Sequence, residues 1–232
     1  MQKSLLSASL VALALASPLA QAHTAGDIIV RAGAITVNPE ADSSSVKVDR
    51  GPLAGADLGG KATMSSDTQL GLNFAYMITN NLGIELLAAS PFEHDVKIKG
   101  TALGAANNKL GTLKHLPPTL SLVYYPLDAT SAFQPYVGAG INYTWIYDEH
   151  VGSEASANGF SNFRASNSWG MAWQVGADYM LTDNIMVNGQ IRYIDIDTTA
   201  YVDNNAVASG TRAKVNVDVD PWIYMVGLGY KF

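Results

Sequence analysis

Apolar residues recur at every second position through most of this chain. In "TQLGLNFAYMI", Leu70, Leu72, Phe74, Tyr76 and Ile78 share one face, and Gln69, Gly71, Asn73, Ala75 and Met77 share the other. Alternation of period two marks a β-strand with one apolar face. "FQPYVGAGINYTW" sets Phe133, Val137, Ala139, Ile141, Tyr143 and Trp145 against Gln134, Gly138, Gly140, Asn142 and Thr144. "WGMAWQVGADYML" sets Trp169, Met171, Trp173, Val175 and Tyr179 against Gly170, Gln174, Gly176 and Asp178. The final residues keep the pattern to the end, with Trp222, Tyr224, Val226, Leu228, Tyr230 and Phe232 in phase. Most domains end in a frayed polar tail, so this strand is expected to be held through its last residue.

Eight such segments are expected, near 27–38, 68–78, 82–92, 117–127, 133–145, 169–181, 185–196 and in the stretch closing at Phe232. Short turns near 80–82, 128–132 and 182–184 alternate with long connections near 39–67, 97–116, 147–167 and 198–213, rich in Gly, Ala, Ser, Asn and Asp. An even strand count with alternating short and long connections predicts an all-β, eight-stranded antiparallel transmembrane β-barrel, short turns in the periplasm and long loops outside. A soluble β-sandwich would carry polar residues on its outward positions, whereas here Trp and Tyr occupy the apolar face. The topology puts Trp145, Trp169 and Trp222 at the loop end and Tyr124, Tyr179, Tyr230 and Phe232 at the turn end, two belts suited to the two membrane interfaces. It also has the last strand close against the first, because a free edge in lipid leaves backbone groups unpaired. Two strands change phase. Val215, Val217 and Val219 run on odd positions before Pro221 and the apolar face runs on even ones after it, which predicts a bulge. "QIRYIDID" becomes ambiguous after Tyr193.

Composition supports this picture. Charged residues make up 15% of the chain and Gly is plentiful, less charge than a secreted soluble domain carries. Residues 1–22 have the form of a cleaved signal peptide: Lys3, an apolar run from Leu5 to Ala16, and Ala20-Gln21-Ala22 as the cleavage site before His23. Residues 23–232 then form one barrel domain. After Ala22 no apolar run reaches the roughly 18 residues of a spanning helix. With no cysteine, an exported chain must find its stability elsewhere. The net charge of −6, without a basic run, argues against nucleic acid as a partner.

"AASPFEHDV", "LPPTLSLVYYP", "FQPYVGAGINYT" and "VDVDPWIYMVGLGYKF" resemble recurrent segments of the OmpW family of small outer-membrane channels. "SDTQLGL" and "SWGMAWQVGADYML" are most similar to its OprG branch. The resemblance covers nearly all of residues 23–232 in order, except the long loops. It implies uptake of small, largely hydrophobic solutes, which enter at the extracellular mouth and leave sideways through a gap in the wall into outer-membrane lipid. It also implies that Tyr230 and Phe232 form the signal read by the barrel-assembly machinery.

An eight-stranded barrel is just wide enough to be filled by side chains. The alternation places Arg31, Asn73, Glu85, Gln134, Asn142, Gln174, Asp178, Asn188, Gln190 and Arg192 in the lumen. Charges there must pair, most economically Arg31 and Arg192 with Glu85 and Asp178, either as a static plug or as a path for protons or ions. A plugged axis requires a side door. Pro91 is expected inside the third strand and Pro117 and Pro118 at the start of the fourth, where proline cannot donate to the ladder. Phe92, His94 and Leu116 would flank this lateral gate, with Leu87 and Ala89 pointing inward as an apolar patch below it.

Other signals fail. "GADLGGKA" imitates a phosphate-binding loop, but Ala62 replaces the hydroxyl residue and no helix follows. Asn142 of "NYT" lies within a strand. His23, His94, His115 and His150 have no metal-ligand spacing, and Glu93, His94 and Asp95 cannot converge from neighbouring strand positions, so no enzyme, cofactor or metal is expected. Three functions remain: a channel for small hydrophobic solutes, a channel for small polar solutes such as amino acids, and a poreless structural or adhesive barrel. Leu53, Leu58, Leu103, Leu110, Leu113 and Phe160 lend the mouth apolar character and favour the first.

Overall fold

The computed structural model describes residues 22–102 and 108–232, so the leader's apolar run and Leu103 lie outside the described residues. The strands in chain order are β1 (Ile28–Asn38), β2 (Asp42–Ser43), β3 (Val46–Arg50), β4 (Asp57–Met64), β5 (Asp67–Met77), β6 (Leu82–Ala89), β7 (Phe92–Thr101), β8 (Lys109–Leu116), β9 (Thr119–Tyr124) and β10 (Phe133–Val151). A one-turn helix α1 (Ser153–Ala157) precedes β11 (Phe160–Ala165), β12 (Ser168–Met180), β13 (Ile185–Ile194), β14 (Asp197–Asn204), β15 (Arg212–Asp218) and β16 (Trp222–Lys231).

Eight of these strands close a ring in the order β1, β5, β6, β9, β10, β12, β13, β16, every neighbouring pair antiparallel. The closing pair runs from Asn38↔Trp222 to Ile29↔Lys231, and the Phe232 N–H donates to the Ile28 carbonyl at 2.9 Å. The ring has no free edge, and its continuous ladder supplies the cohesion that disulfides give other exported chains. Leu70, Phe74, Leu122, Val137, Val175, Val226 and Leu228 stand exposed on its outer wall.

The long connections are strands, not irregular loops. The upper end of the 19-residue β10 pairs with β8, and the sheet continues through β7, β4, β3, β15 and β14 to β11. A second, shorter tier of sheet thus rises from the first, with its end strand β11 lying beside β10 without a ladder between them. Residues 39–67, 97–116, 147–167 and 198–213 lack the outward apolar phase of the membrane strands because the burial of their two faces is inverted. Val46, Val48, Val96, Ile98, Val202, Val215 and Val217 point inward, while lysines and carboxylates cover the outside.

The same inversion corrects the expected bulge at Pro221. Val215, Val217, Val219, Pro221, Ile223 and Met225 are all buried, so the odd positions face inward throughout. The pairing Asp197↔Asp218 of β14–β15 continues as Tyr193↔Trp222 of β13–β16 with no shift of register. Asp220 has a positive φ of 36° at the junction and accepts from the Ile196 N–H. The even positions of the partner behave alike: Asn188, Gln190 and Arg192 are followed inward by Ile194, Ile196, Ala200 and Val202. The side chains keep their faces, and the surroundings change from lipid outside a polar lumen to water outside an apolar one.

Candidate functional site

The interior is layered. Nearest the short turns lie Ile29, Met77, Val123, Tyr125, Met180 and Met186. Above them sits an ionic waist. β1 presents Arg31, β5 Asn73, β6 Glu85, β12 Gln174 and Asp178, and β13 Asn188 and Arg192, all nearly inaccessible. Arg31 Nε donates to Asp178 Oδ1 at 2.9 Å and Nη2 to Oδ2 at 2.5 Å, a bidentate pair. Its Nη1 reaches Asn73 Oδ1 at 3.1 Å and Glu85 Oε2 at 3.4 Å, and Nη2 also donates to the Tyr125 hydroxyl at 2.9 Å. Glu85 Oε1 accepts from Arg192 Nη2 at 2.7 Å and Gln174 Nε2 at 2.9 Å, and Arg192 Nη2 also contacts Gln174 Oε1. Asn188 Nδ2 links Asp178 Oδ1 at 2.8 Å to the Tyr136 hydroxyl at 3.0 Å. Two cations face two carboxylates, so the waist holds its charges in matched pairs.

Over the waist the lumen turns apolar. Ile35, Leu87, Phe92, Ile194, Ile223 and Met225 are buried at its floor, with Ala89 packed against them. Three small cavities then stack toward the mouth. The lowest, about 30 Å³, is bounded by Val37, His94, Leu113, His115 and Ile146. It shares Met64, Leu113 and Thr198 with a middle cavity of about 30 Å³ lined by Val96, Leu110 and Phe163. Ile98 joins this to an upper one of about 40 Å³ between Val46, Leu58, Phe160 and Val202. Leu110 and Leu113 therefore line the shaft below the mouth, and Leu53 is exposed at its rim. A larger depression of about 610 Å³, between Leu122, Val137, Trp173, Ile191 and Trp222, lies on the lipid-facing wall.

Beside this shaft the wall is interrupted. The β6–β9 ladder ends at Leu87↔Thr119, and the β7–β8 ladder begins at Phe92↔His115. Between these pairs, four residues, 88–91, face three, 116–118, with no pairing across the seam. Pro91 thus lies between β6 and β7, and Pro117 and Pro118 lie between β8 and β9, not within strands as the alternation suggested. The edges stay tied to their other neighbours. Ser90 N–H donates to the Leu70 carbonyl at 2.9 Å, and the Pro118 carbonyl accepts from Tyr143 N–H at 3.1 Å. Phe92 and His94 point into the lumen, fully buried, while Leu116 is half-buried opposite Trp145.

Two site residues, His23 and His115, escape a sequence reading, and so does the contact His94 makes. His23 Nε2 sits 2.9 Å from Asp178 Oδ2, across 155 positions, with its ring edge-on to Tyr125 at 4.8 Å. His94 and His115 meet inside the shaft with Nε2 atoms 2.7 Å apart. His94 Nδ1 is 2.5 Å from the Ser65 carbonyl, which can only accept, so His94 Nε2 accepts from His115 Nε2. His115 Nδ1 makes no hydrogen bond among the described residues. Burial pushes the His115 imidazole down to about 3, with the neighbouring His94 adding to the effect. Only the Tyr125 position, inward by alternation, carried a readable signal: a ring with a polar tip aimed into the lumen.

A closed eight-stranded barrel with an apolar wall between aromatic belts, an ion-paired waist and a largely apolar extracellular shaft is a small outer-membrane barrel protein. The chain belongs to the OmpW family, whose model matches residues 24–232. It is 41% identical over 222 residues to outer membrane protein W of Vibrio cholerae, covering 96% of both chains. It is 30% identical over 176 residues to the dibenzothiophene metabolism operon protein PahQ of Pseudomonas aeruginosa, covering 75% of this chain and 76% of that one. The crystal structure of OprG from Pseudomonas aeruginosa superimposes with a TM-score of 0.84 at 48% identity, covering 91% of this chain and 98% of that one.

Proposed function

We propose that the protein admits small, mainly hydrophobic solutes at the extracellular mouth and releases them sideways into the outer membrane through the seam at Pro91, Pro117 and Pro118. The observation that carries this reading is the coincidence of three features at one level. The apolar shaft ends, the ionic waist begins, and the cross-strand ladder breaks beside Phe92. An apolar molecule moving down the shaft meets buried charges ahead, where it would strip them of partners at large cost. To its side it meets a stretch of wall that lacks cross-strand hydrogen bonds and borders lipid. The shaft's cavities are narrow, so aliphatic side chains must move aside as a solute passes. The dibenzothiophene operon named for one relative involves an apolar aromatic compound, which suits such a shaft. The polar-solute alternative would require passage through the waist, and the adhesive alternative leaves the continuous apolar shaft without a role.

The test is Pro91→Ala and Pro91→Val, which restore a donor at the seam in residues compatible with a strand. Uptake of a small apolar fluorophore into liposomes holding equal amounts of folded barrel should fall. Unchanged uptake, together with a strong effect of Glu85→Gln, would place the route along the axis and overturn the reading.

A further inference from the structure

We propose that the outer wall of the extracellular extension is a docking surface for the phosphorylated head groups of outer-leaflet glycolipids. The neighbouring strands β15, β3, β4, β7 and β8 carry nine basic residues against five acidic ones, on a chain whose net charge is −6. Register places like charges directly opposite one another: Lys47↔Lys214, Arg50↔Arg212, Lys61↔Lys99 and Lys97↔Lys109. Opposed like charges destabilise a sheet unless a counter-charge bridges them. Some of these cations are answered within the protein. Lys109 reaches Asp95 at 2.6 Å, Lys114 Asp148 at 2.7 Å, Arg212 Asp203 at 2.7 Å, and Lys61 pairs with Asp42. Among the described residues, Lys47, Lys97, Lys99 and Lys214 have no carboxylate within 4.0 Å.

Position selects the occupant. Leu116 of β8 lies opposite Trp145 of the outer aromatic belt. Lys114 follows two residues above it and Lys109 seven residues above. At about 3.3 Å per residue the basic wall spans roughly 7–23 Å of strand beyond the belt. A phosphorylated sugar head group rooted in the outer leaflet occupies this zone and brings anionic oxygens that Lys and Arg can bridge. Acidic groups gather elsewhere: Asp195, Asp197 and Asp220 lie within 4.8 Å of one another at the β13–β14 and β15–β16 junctions.

The experiment uses the full folded barrel in detergent micelles, titrated with a bis-phosphorylated glycolipid, the same glycolipid stripped of phosphate, and inorganic polyphosphate. Bound copies are counted by native mass spectrometry. The phosphorylated glycolipid should bind at least about tenfold tighter than the stripped form. That advantage should shrink with added salt and survive chelation of divalent cations, since lysines rather than bridging metal carry it. Lys47→Gln/Lys97→Gln/Lys99→Gln, which removes three of the four unanswered lysines, should remove most of the advantage while the barrel keeps its heat-modifiable gel mobility. Asp195→Asn/Asp197→Asn should retain it. Equal binding of the two glycolipids, wild-type binding by the triple variant, loss on chelation, or polyphosphate binding as tightly as the phosphorylated lipid would each overturn the proposal.

Discussion

Replacing Glu85 by Gln tests the ionic waist with the least change of shape. Glu85 accepts from Arg192 at 2.7 Å, Gln174 at 2.9 Å and Arg31 at 3.4 Å, with no solvent access. The amide keeps the volume and one acceptor oxygen. It removes the only carboxylate that pairs with Arg192 among the described residues, whereas Arg31 keeps its bidentate partner Asp178. The waist then holds one uncompensated buried cation. Breaking a buried ion pair by removing one partner costs about 3–5 kcal/mol. The surviving hydrogen bond puts the expectation at the low end, about 3 kcal/mol. Urea unfolding in lipid vesicles, followed by tryptophan fluorescence, measures this directly. The double variant Glu85→Gln/Arg192→Gln restores charge balance and should recover more than half of the loss. Uptake of an apolar solute, normalised to folded barrel, should be unchanged in both variants, because the proposed route leaves the shaft above the waist. A loss below about 1 kcal/mol, or a double variant worse than the sum of its singles, would refute the charge-pairing argument.

Three further outcomes are expected. Leu72→Arg on the lipid face near mid-membrane should cost about 2–4 kcal/mol in vesicles, and a loss below about 1 kcal/mol would contradict the facing of β5. Deleting Phe232, whose N–H bonds Ile28 and whose ring lies 4.7 Å from Tyr230, should lower folded barrel in the outer membrane and leave uptake per folded molecule unchanged; normal folded levels would remove its assembly role. The His94–His115 contact should make stability depend on pH. His115 is held neutral down to about 3, whereas the unfolded imidazole titrates near 6.5, so stability is full above about pH 6.5 and falls as the pH drops toward 3. Between pH 6.5 and 5 the loss is about 2 kcal/mol. His115→Phe should flatten that slope in urea titrations at pH 5 and 7, and an unaltered slope would assign it to other groups.

The waist was legible because two constraints act together. Alternation fixes which side chains of β1, β6, β12 and β13 point inward, and a narrow lumen tolerates Arg31, Glu85, Asp178 and Arg192 only as pairs. The bonding pattern within the waist was not legible. Which carboxylate each arginine takes depends on the stagger of non-adjacent strands, and His23 arrives from a segment outside the ladder. The meeting of His94 and His115 depends on the β7–β8 register, which the alternation does not set for residues 97–116. Pro91, Pro117 and Pro118 were legible as a place where the ladder lacks donors. Their placement between strands rather than within them follows from an upper sheet that resumes pairing one residue out of register, from Leu87↔Thr119 to Phe92↔His115.

That upper sheet is hidden in the sequence for a physical reason that also locates the membrane. The backbone sets the period of two, whereas the media on the two sides of the wall decide which phase is apolar. Within lipid the outward phase must be apolar, as in Trp222, Tyr224 and Val226, and the lumen can hold Arg192 and Gln190. Beyond the lipid, water takes the outward phase and the apolar residues move inward, as in Ile194 and Ile196 on one strand and Val219 and Val217 on its neighbour. An expectation tuned to apolar exteriors interprets this exchange as a slipped strand or a loop. An unbroken register with exchanged polarity marks instead the level at which the protein leaves the bilayer. Trp222 stands at that exchange on β16, and Trp145, opposite Leu116, stands at the corresponding level on β10. The outer aromatic belt, the polarity exchange and the unpaired proline seam therefore lie together at one boundary, which is where an apolar solute leaving the shaft would first meet lipid.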